Sequence, residues 1–180
     1  ERRKFGATSP AFGAAVAIVD PELTLTMPPA VTASSGMDAL AHAVESYLSK
    51  NADQFSELFA VEATALVFRH LRAACAGGAN LEARTGMALA SVMAGVTLGQ
   101  AGVIHAHGYG MAIGGLFGTD HGTTVGLLLP DVLADVRQSL SPRLASLARR
   151  AGLVPEIAGD AEAADRLIAA TRRLVGDRKS

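Results

Sequence analysis

One aspartate and three histidines are spaced so that they could bind a single divalent transition metal. Asp38 and His42 lie four residues apart, and His107 and His121 follow later in the chain on either side of a glycine-rich segment. One carboxylate and three imidazoles form a full ligand set for such an ion. Only 18% of the residues are charged. Buried polar groups in such a chain are costly unless they are paired or bound to a metal.

Each part of this pattern also has a simpler interpretation. Asp38 and His42 at positions i and i+4 share one helix face, which suits a metal but also suits a common salt-bridged surface pair. Either His107 or His121 taken alone would be better explained as a hydrogen-bonded core histidine. Their spacing lets one helix and the start of the next helix converge on one point. The metal interpretation therefore depends on all four residues together.

Three further features lie near these candidate ligands. Glu45 could orient a ligand by hydrogen bonding, although a plain surface carboxylate is an equally good interpretation. His105 precedes His107 by two residues, so on a helix it points about 200° away from it. The segment from Gly108 to Gly114 has the wrong spacing for a dinucleotide-binding loop, and no strand precedes it. The chain itself thus offers no recognisable cofactor-binding residues.

Composition excludes several classes of function. A chain of 180 residues can form one domain with a sizeable core. A net charge of −1 and an aromatic content of 4% argue against nucleic-acid binding. The single cysteine, Cys75, excludes an internal disulfide framework and fits a reducing compartment. Because no signal peptide is recognisable in the first residues, we expect a cytoplasmic protein.

An uncharged stretch from Thr85 to Thr119 is long enough to cross a membrane. It contains two histidines, a glutamine and many glycines, however, and it lacks basic flanks and an aromatic belt. We interpret this stretch as two buried core helices and expect no membrane partner.

The pattern of apolar residues predicts a mainly α protein. Residues 14–19 and 23–26 have strand character, but they are too few to form a sheet of their own. Ser34 or Ser35 could cap the first helix, with Asp38 in its first turn. We predict helices over residues 34–49, 53–76, 80–102, 103–117, 123–140, 141–152 and 160–175, with a kink at Pro130. The predicted domains are a strand segment and linker (1–33) and a helical metal-binding domain (34–180).

Three segments together resemble the iron-containing (group III) alcohol dehydrogenase family. They read SSGMDALAHAVESYLS, ARTGMALASVMAGVTLGQAGVIHAHG and DHGTTVGLLLPDVL, and VAIVDPELTLTMPP resembles the segment that leads into that family's helical domain. Each is modest alone, but the three in this order are specific. The resemblance covers residues 14–132 most clearly and implies a dehydroquinate synthase-like helical domain.

The resemblance implies that Asp38, His42, His107 and His121 bind Fe²⁺, or Zn²⁺ as in some members. It also implies hydride transfer between NAD or NADP and a small alcohol or aldehyde. In that family a cofactor-binding domain precedes this region and further helices follow it. We therefore expect a fragment that carries the metal half of an active site and is inactive by itself. We also expect a homo-oligomer, because the exposed strand segment and apolar helices seek partners.

One position departs from the family pattern. The family commonly has a histidine four residues after the third ligand, near the nicotinamide and in the proton path, and this chain has Met111 there. The proton would then leave through His105 or water, which makes Met111 and His105 the candidate catalytic positions.

Two other interpretations stay open at this point. A glycerol dehydrogenase or dehydroquinate synthase relative would resemble this arrangement but would use fewer side-chain ligands of this set. A non-catalytic metal-binding or oligomerisation remnant is a different class of protein, and the methionine at position 111 favours it. The sequence of the missing part of the protein would distinguish a remnant from an enzyme.

Overall fold

The computed structural model describes Ser9 and residues 12–176, and all regular structure in that part of the chain is helical. A short 3-10 helix, Pro21–Thr24, comes first. It is followed by six α-helices: α1 (Pro29–Leu48), α2 (Gln54–Ala76), α3 (Leu81–Ala101), α4 (His105–Phe117), α5 (His121–Arg150) and α6 (Asp160–Gly176). The prediction of a mainly α domain is confirmed. The predicted domains also include residues 1–8, 10–11 and 177–180, which lie outside the described residues.

The two strands predicted near the N-terminus are not formed. Residues 14–19 are exposed and irregular, and residues 23–26, predicted as the second strand, form the end of the 3-10 helix and the turn after it. Asp20 explains the difference, because its carboxylate accepts the N–H of Glu22 at 2.9 Å and Pro21 fixes the first φ angle. A strand also needs a partner for its backbone hydrogen bonds, and residues 12–176 provide none.

Helix α1 begins at Pro29, before the serines that were predicted as its caps. Proline is favoured at the first helical position because the N–H that it lacks has no helical partner there. Ser34 and Ser35 consequently lie inside α1, and Asp38 lies in its third turn rather than its first. The predicted boundary between residues 33 and 34 falls within this helix.

Buried Arg84 ties the start of α1 to the turn between α2 and α3. Its guanidinium donates to the Thr32 hydroxyl at 2.7 Å, to the Met27 carbonyl at 3.0 Å and to the Gly78 carbonyl at 3.1 Å. Arginine suits this place because its planar group presents several donors in a fixed geometry. The entry of the chain into α1 is thereby fixed.

Helices α2 and α3 begin at side-chain caps, within one residue of the starts predicted from the sequence. Asp53 accepts the N–H of Ser56 at 2.8 Å, and the Ser56 hydroxyl accepts the N–H of Asp53 at 2.9 Å. Asn80 accepts the N–H of Ala83 at 3.0 Å. Each of these bonds satisfies an N–H that would otherwise lack a partner at the helix start.

The helical geometry of α5 is broken at Leu140 and not at Pro130, where the sequence predicts a kink. Leu140 has φ −115° and ψ 18°, whereas Pro130 is buried inside continuous helix. The break lies two residues before Pro142, which has no N–H to give to the preceding turn and whose ring clashes with that turn. The two helices predicted around this point therefore form one bent helix, α5.

Helix α1 lies at the centre of the bundle and contacts α2, α3, α4 and α5. Its buried face carries apolar side chains such as Leu40, Val44 and Tyr47. Helix α6 packs on α5. Because α1, α4 and α5 meet, residues that are distant in sequence can reach one site.

Helices α3 and α4 are bent by 99° at the break between them. No single described helix is long and apolar enough to cross a membrane. Helices α3 and α4 reach that length and apolar character only when they are counted together. The prediction of two buried core helices is partly wrong for α4, where only Ala106, His107 and Gly110 are buried. Its many glycines leave it few large side chains to bury.

Candidate metal centre

Side chains from three helices converge at one point. Asp38 of α1, His107 of α4 and His121 of α5 each place one potential ligand atom within 4.8 Å of the other two. Asp38 Oδ1 lies 3.5 Å from His107 Nε2 and 3.6 Å from His121 Nε2. These separations are long for hydrogen bonds. They are close to the roughly 3.4 Å expected between two ligands of one tetrahedral metal ion.

His42 lies beside this convergence point. Its Nδ1 is 3.5 Å from Oδ2 of Asp38, which is the other carboxylate oxygen. Its ring stacks on the ring of His107 with the centroids 4.2 Å apart. The structure thus gathers all four predicted ligands into one cluster, in which Asp38, His107 and His121 direct an atom to the common point.

Two atoms of the cluster are buried without a hydrogen bond. Asp38 Oδ1 and His107 Nε2 have no hydrogen-bond partner in the part of the chain that the structure describes. A buried polar atom without a partner costs about 1–3 kcal/mol. A divalent ion bound by both atoms would remove that cost, so the donor set fits a metal.

The members of the cluster shift one another's protonation. Burial would raise the pKa of Asp38, but the neighbouring imidazoles of His107, His42 and His121 lower it overall. Burial lowers the pKa of His42 to about 4, despite the opposing effect of Asp38. Burial also opposes protonation of His107, but Asp38 and Glu45 outweigh it and raise the pKa of His107 to about 9. At neutral pH His42 is ready to bind a metal, whereas His107 must first lose a proton.

Glu45 lies fully buried beneath His107. Its carboxylate is 2.6 Å from His107 Nδ1 and also accepts the backbone N–H groups of Ala106 at 2.6 Å and of His107 at 3.2 Å. A carboxylate can only accept, so Nδ1 carries the proton in this contact. The interpretation of Glu45 as a surface carboxylate is therefore wrong.

Ser46 of α1 and Ser49, the residue that follows α1, hold the corner between α3 and α4. The Ser46 hydroxyl donates to the Gly102 carbonyl and the Ser49 hydroxyl to the Ala101 carbonyl, both at 2.7 Å. Gly102 has φ +71°, a left-handed conformation that glycine adopts readily. Neither serine was predicted from the sequence, because nothing in their spacing marks them as contacts of a distant corner. They fix where α4 begins, two residues before His107.

The start of α5 is held against α1 by Asp120. Its carboxylate accepts the N–H of Thr123 at 2.8 Å and the hydroxyl of Ser34. The bonds to Ser34 and Thr123 lower the pKa of Asp120 to about 2. Because His121 follows directly, this cap brings the third converging side chain to α1. The helix predicted from residue 123 begins at His121 instead, because Asp120 caps it.

The two positions predicted to be catalytic both lie on α4. Met111 is half-buried, one turn after His107. His105 is exposed, and its ring centroid is 6.3 Å from that of Tyr109. Its position two residues before His107 turns it away from the ligand face of the helix. Their catalytic roles stay predictions.

A cleft of about 440 Å³ opens beside the cluster. It lies between the first turns of α1 and the start of α5, and Asp38 and His121 are in its wall. Val31 and Ala30 add an apolar side to it. A small molecule can therefore reach the carboxylate and imidazole of the cluster from this side.

Comparison with known proteins assigns the chain to a family. A family described as the Fe-containing alcohol dehydrogenase family, C-terminal, matches residues 32–179. The long-chain-alcohol dehydrogenase 1 of Geobacillus thermodenitrificans is 42% identical over 162 residues, which are 90% of this chain and 41% of that protein. The 1,3-propanediol dehydrogenase of Klebsiella pneumoniae is 39% identical over 90% of this chain and 42% of its own length. The chain thus spans about two fifths of the curated relatives that it matches.

Solved structures show the same fold. A 1,3-propanediol oxidoreductase superposes with a TM-score of 0.84 and 39% identity, over 88% of this chain and 41% of its own. An iron-containing alcohol dehydrogenase from Thermococcus thioreducens gives a TM-score of 0.81 and 30% identity, over 93% of this chain and 43% of its own. The matched region holds all four residues of the cluster. The chain belongs to the iron-containing alcohol dehydrogenase family.

Proposed function

We propose that this chain supplies the metal centre of an NAD(P)-dependent alcohol dehydrogenase that interconverts small alcohols and aldehydes. The observation that carries the proposal is the convergence of Asp38, His107 and His121, each with a potential ligand atom within 4.8 Å of the others. Asp38 and His42, with His107 and His121, would hold Fe²⁺ or Zn²⁺. Imidazole and carboxylate ligands suit both ions, so the ligand types do not distinguish them.

The residues of the chain suggest how such a site would work. A divalent metal held here would supply Lewis-acid chemistry to the oxygen of an alcohol or aldehyde. The cleft beside Asp38 and His121 admits the polar end of a substrate, and its apolar side accepts the carbon chain. Met111 has no group that can carry a proton, so the proton of the alcohol must leave by another path. Water in the cleft or His105 would provide that path.

The nicotinamide cofactor would be bound by a part of the protein outside this chain. Two similar proteins support NAD as the cofactor: a methanol dehydrogenase of Bacillus methanolicus is named as NAD-dependent, and a sulfoacetaldehyde reductase of Bifidobacterium kashiwanohense was solved with NAD⁺. The relatives are named for different alcohols, among them long-chain alcohols, 1,3-propanediol and methanol. The proposal is therefore a substrate class rather than one alcohol.

Metal content tests the proposal directly. We expect about one iron or zinc per chain after anaerobic purification, and none in the Asp38→Ala, His42→Ala double variant, because the cluster loses its carboxylate and one imidazole. His105→Ala should retain the metal, since His105 is exposed on another side of α4. Circular dichroism would establish that all three proteins are folded. A folded wild-type chain without stoichiometric metal would contradict the proposal and favour a non-catalytic helical module.

A further inference from the structure

We infer that Glu45 is a positioning residue of the metal centre, which holds His107 in the tautomer that leaves Nε2 available to a metal ion. The inference rests on the proposed function and adds a residue that is not itself a ligand. Glu45 is completely buried, although a buried carboxylate is costly unless several donors compensate it. The burial of this carboxylate therefore indicates a specific role for its charge.

Two carboxylates on one face of α1 lie beside the two nitrogen atoms of the His107 ring. Asp38 and Glu45 are seven residues apart on α1, and two turns of helix place them on the same side. Asp38 Oδ1 faces Nε2 of His107 at 3.5 Å, and Glu45 lies 2.6 Å from Nδ1. The imidazole therefore stands between two carboxylates of a single rigid element. Its orientation toward Asp38 is set by Glu45 behind it.

The same carboxylate also replaces the missing cap of α4. Helices α2, α3 and α5 are each capped by the side chain of the residue just before them, but Ile104 at the start of α4 provides no such bond. Glu45 accepts the N–H groups of Ala106 and His107 instead. A cap supplied by another helix fixes α4 relative to α1. The backbone and the ring of His107 are thus held by one group.

The charge has a role in the tautomer as well as in the cap. A neutral imidazole carries its proton on only one nitrogen, and the hydrogen bond made by that nitrogen decides which one remains free. A carboxylate at Nδ1 keeps the proton there, so the lone pair of Nε2 is free to bind a metal. Such a partner also strengthens the ligand, and removing it typically costs metal affinity.

Glu45→Gln is the variant that separates this role from simple packing. The amide has nearly the same shape, but it has no charge, and its nitrogen cannot accept a hydrogen bond. We expect zinc affinity, measured by competition with a chelator, to fall roughly 10–100-fold. The visible spectrum of the cobalt-loaded protein should change as well, because the His107 ligand is no longer held in one orientation. Glu45→Asp should restore part of the affinity.

Ser46→Ala is the matched control. Ser46 is the next residue, is equally buried and holds the Gly102 carbonyl at the same corner, but its hydroxyl bonds to that carbonyl and not to His107. We expect it to lower the melting temperature but to reduce zinc affinity and alter the cobalt spectrum much less than Glu45→Gln does, because the bond from Glu45 to the His107 ring remains. An equal loss of affinity in both variants would assign the effect to the corner and overturn the inference, as would unchanged zinc binding in folded Glu45→Gln.

Nitrogen NMR of the histidine rings makes the inference independent of the proposed function. In the metal-free chain at alkaline pH, the Nδ1-protonated form of His107 should dominate in the wild type and a mixture of tautomers should appear in Glu45→Gln. A wild-type chain that binds no metal but shows this tautomer would refute the proposed function and leave the hold of Glu45 on His107 intact. A tautomer that does not depend on Glu45 would refute the inference.

Discussion

Gly122, the second residue of α5, lies directly against the backbone of Ser34 in α1. A Cβ atom added to Gly122 would stand well inside 3.0 Å of the Ser34 carbonyl oxygen, closer than Cβ atoms are found in proteins. The Ser34 hydroxyl also donates to Asp120, so the two helices are held in contact beside His121. The absence of a side chain at residue 122 allows the histidine to reach Asp38.

Gly122→Ala should therefore damage both the fold and the metal centre. We expect a loss of about 1–3 kcal/mol in the free energy of unfolding, because the added methyl group forces α1 and α5 apart. Metal affinity should fall as well, since His121 moves with the start of α5. Gly95→Ala is the control, because a Cβ there meets nothing within 4 Å. It should stabilise α3 by about 0.5–1 kcal/mol and leave the metal bound. Retained affinity in a destabilised Gly122→Ala would contradict the predicted link.

His121→Ala should lose the metal while the chain stays folded. His121 is part of the convergence point but is partly exposed, so its removal leaves little buried space unfilled. Elemental analysis beside a thermal melt would separate loss of a ligand from loss of the fold. Unchanged metal content would remove His121 from the site.

Met111→His should leave metal binding intact and, in a complete enzyme, raise or broaden the activity. Residue 111 follows His107 by one helical turn, so a histidine there would lie on the same face of α4 and could carry a proton. Turnover of a series of alcohols by the complete enzyme, with and without the substitution, is the measurement. A fall in turnover with all of them would indicate that Met111 is matched to its substrate.

The stability of the metal-free chain should be greatest near pH 6.5. The pKa of His42 is lowered to about 4, so the unfolded chain binds the extra proton below pH 6.5 and stability falls as the pH drops. The pKa of His107 is raised to about 9. Its contribution to the free energy of unfolding is therefore complete below pH 6.5 and is lost as the pH rises toward 9. Urea unfolding across this range measures both limbs.

Zinc binding should depend on pH over the range in which His107 loses its proton. Binding to His107 releases its proton, so zinc uptake in a weakly buffered solution at pH 7 should acidify the solution. Apparent zinc affinity should rise with pH up to about 9 and then level off. An affinity independent of pH between 6.5 and 9 would show that His107 is not a ligand.

Local signals predicted most of the helix boundaries. The starts of α2 and α3 follow from Asp53 and Asn80, because a cap is a contact between residues three apart. The start of α1 was missed because Pro28 and Pro29 suit both the end of an extended segment and the first turn of a helix. Pro130 was assigned the kink on propensity alone, whereas the break in helical geometry lies at Leu140, close to the second proline of α5, Pro142.

The four candidate ligands were found from the sequence because their types and order form a pattern. Their grouping could not be derived from spacing, since the bend between α3 and α4 and the packing of α5 on α1 decide it. Glu45 shows the limit most clearly. Its spacing suits an exposed or a buried position equally, and only its contacts with α4 distinguish them.

Helix α6 contributes none of the four residues of the metal cluster. It packs on α5, and ion pairs such as Arg137 with Asp165 and Arg149 with Asp160 join the two helices at their exposed sides. Amide hydrogens of α6 should therefore exchange with solvent through local opening, while those of central α1 exchange only when the whole domain unfolds. The metal centre should therefore persist when α6 opens, because none of its four residues lies on α6.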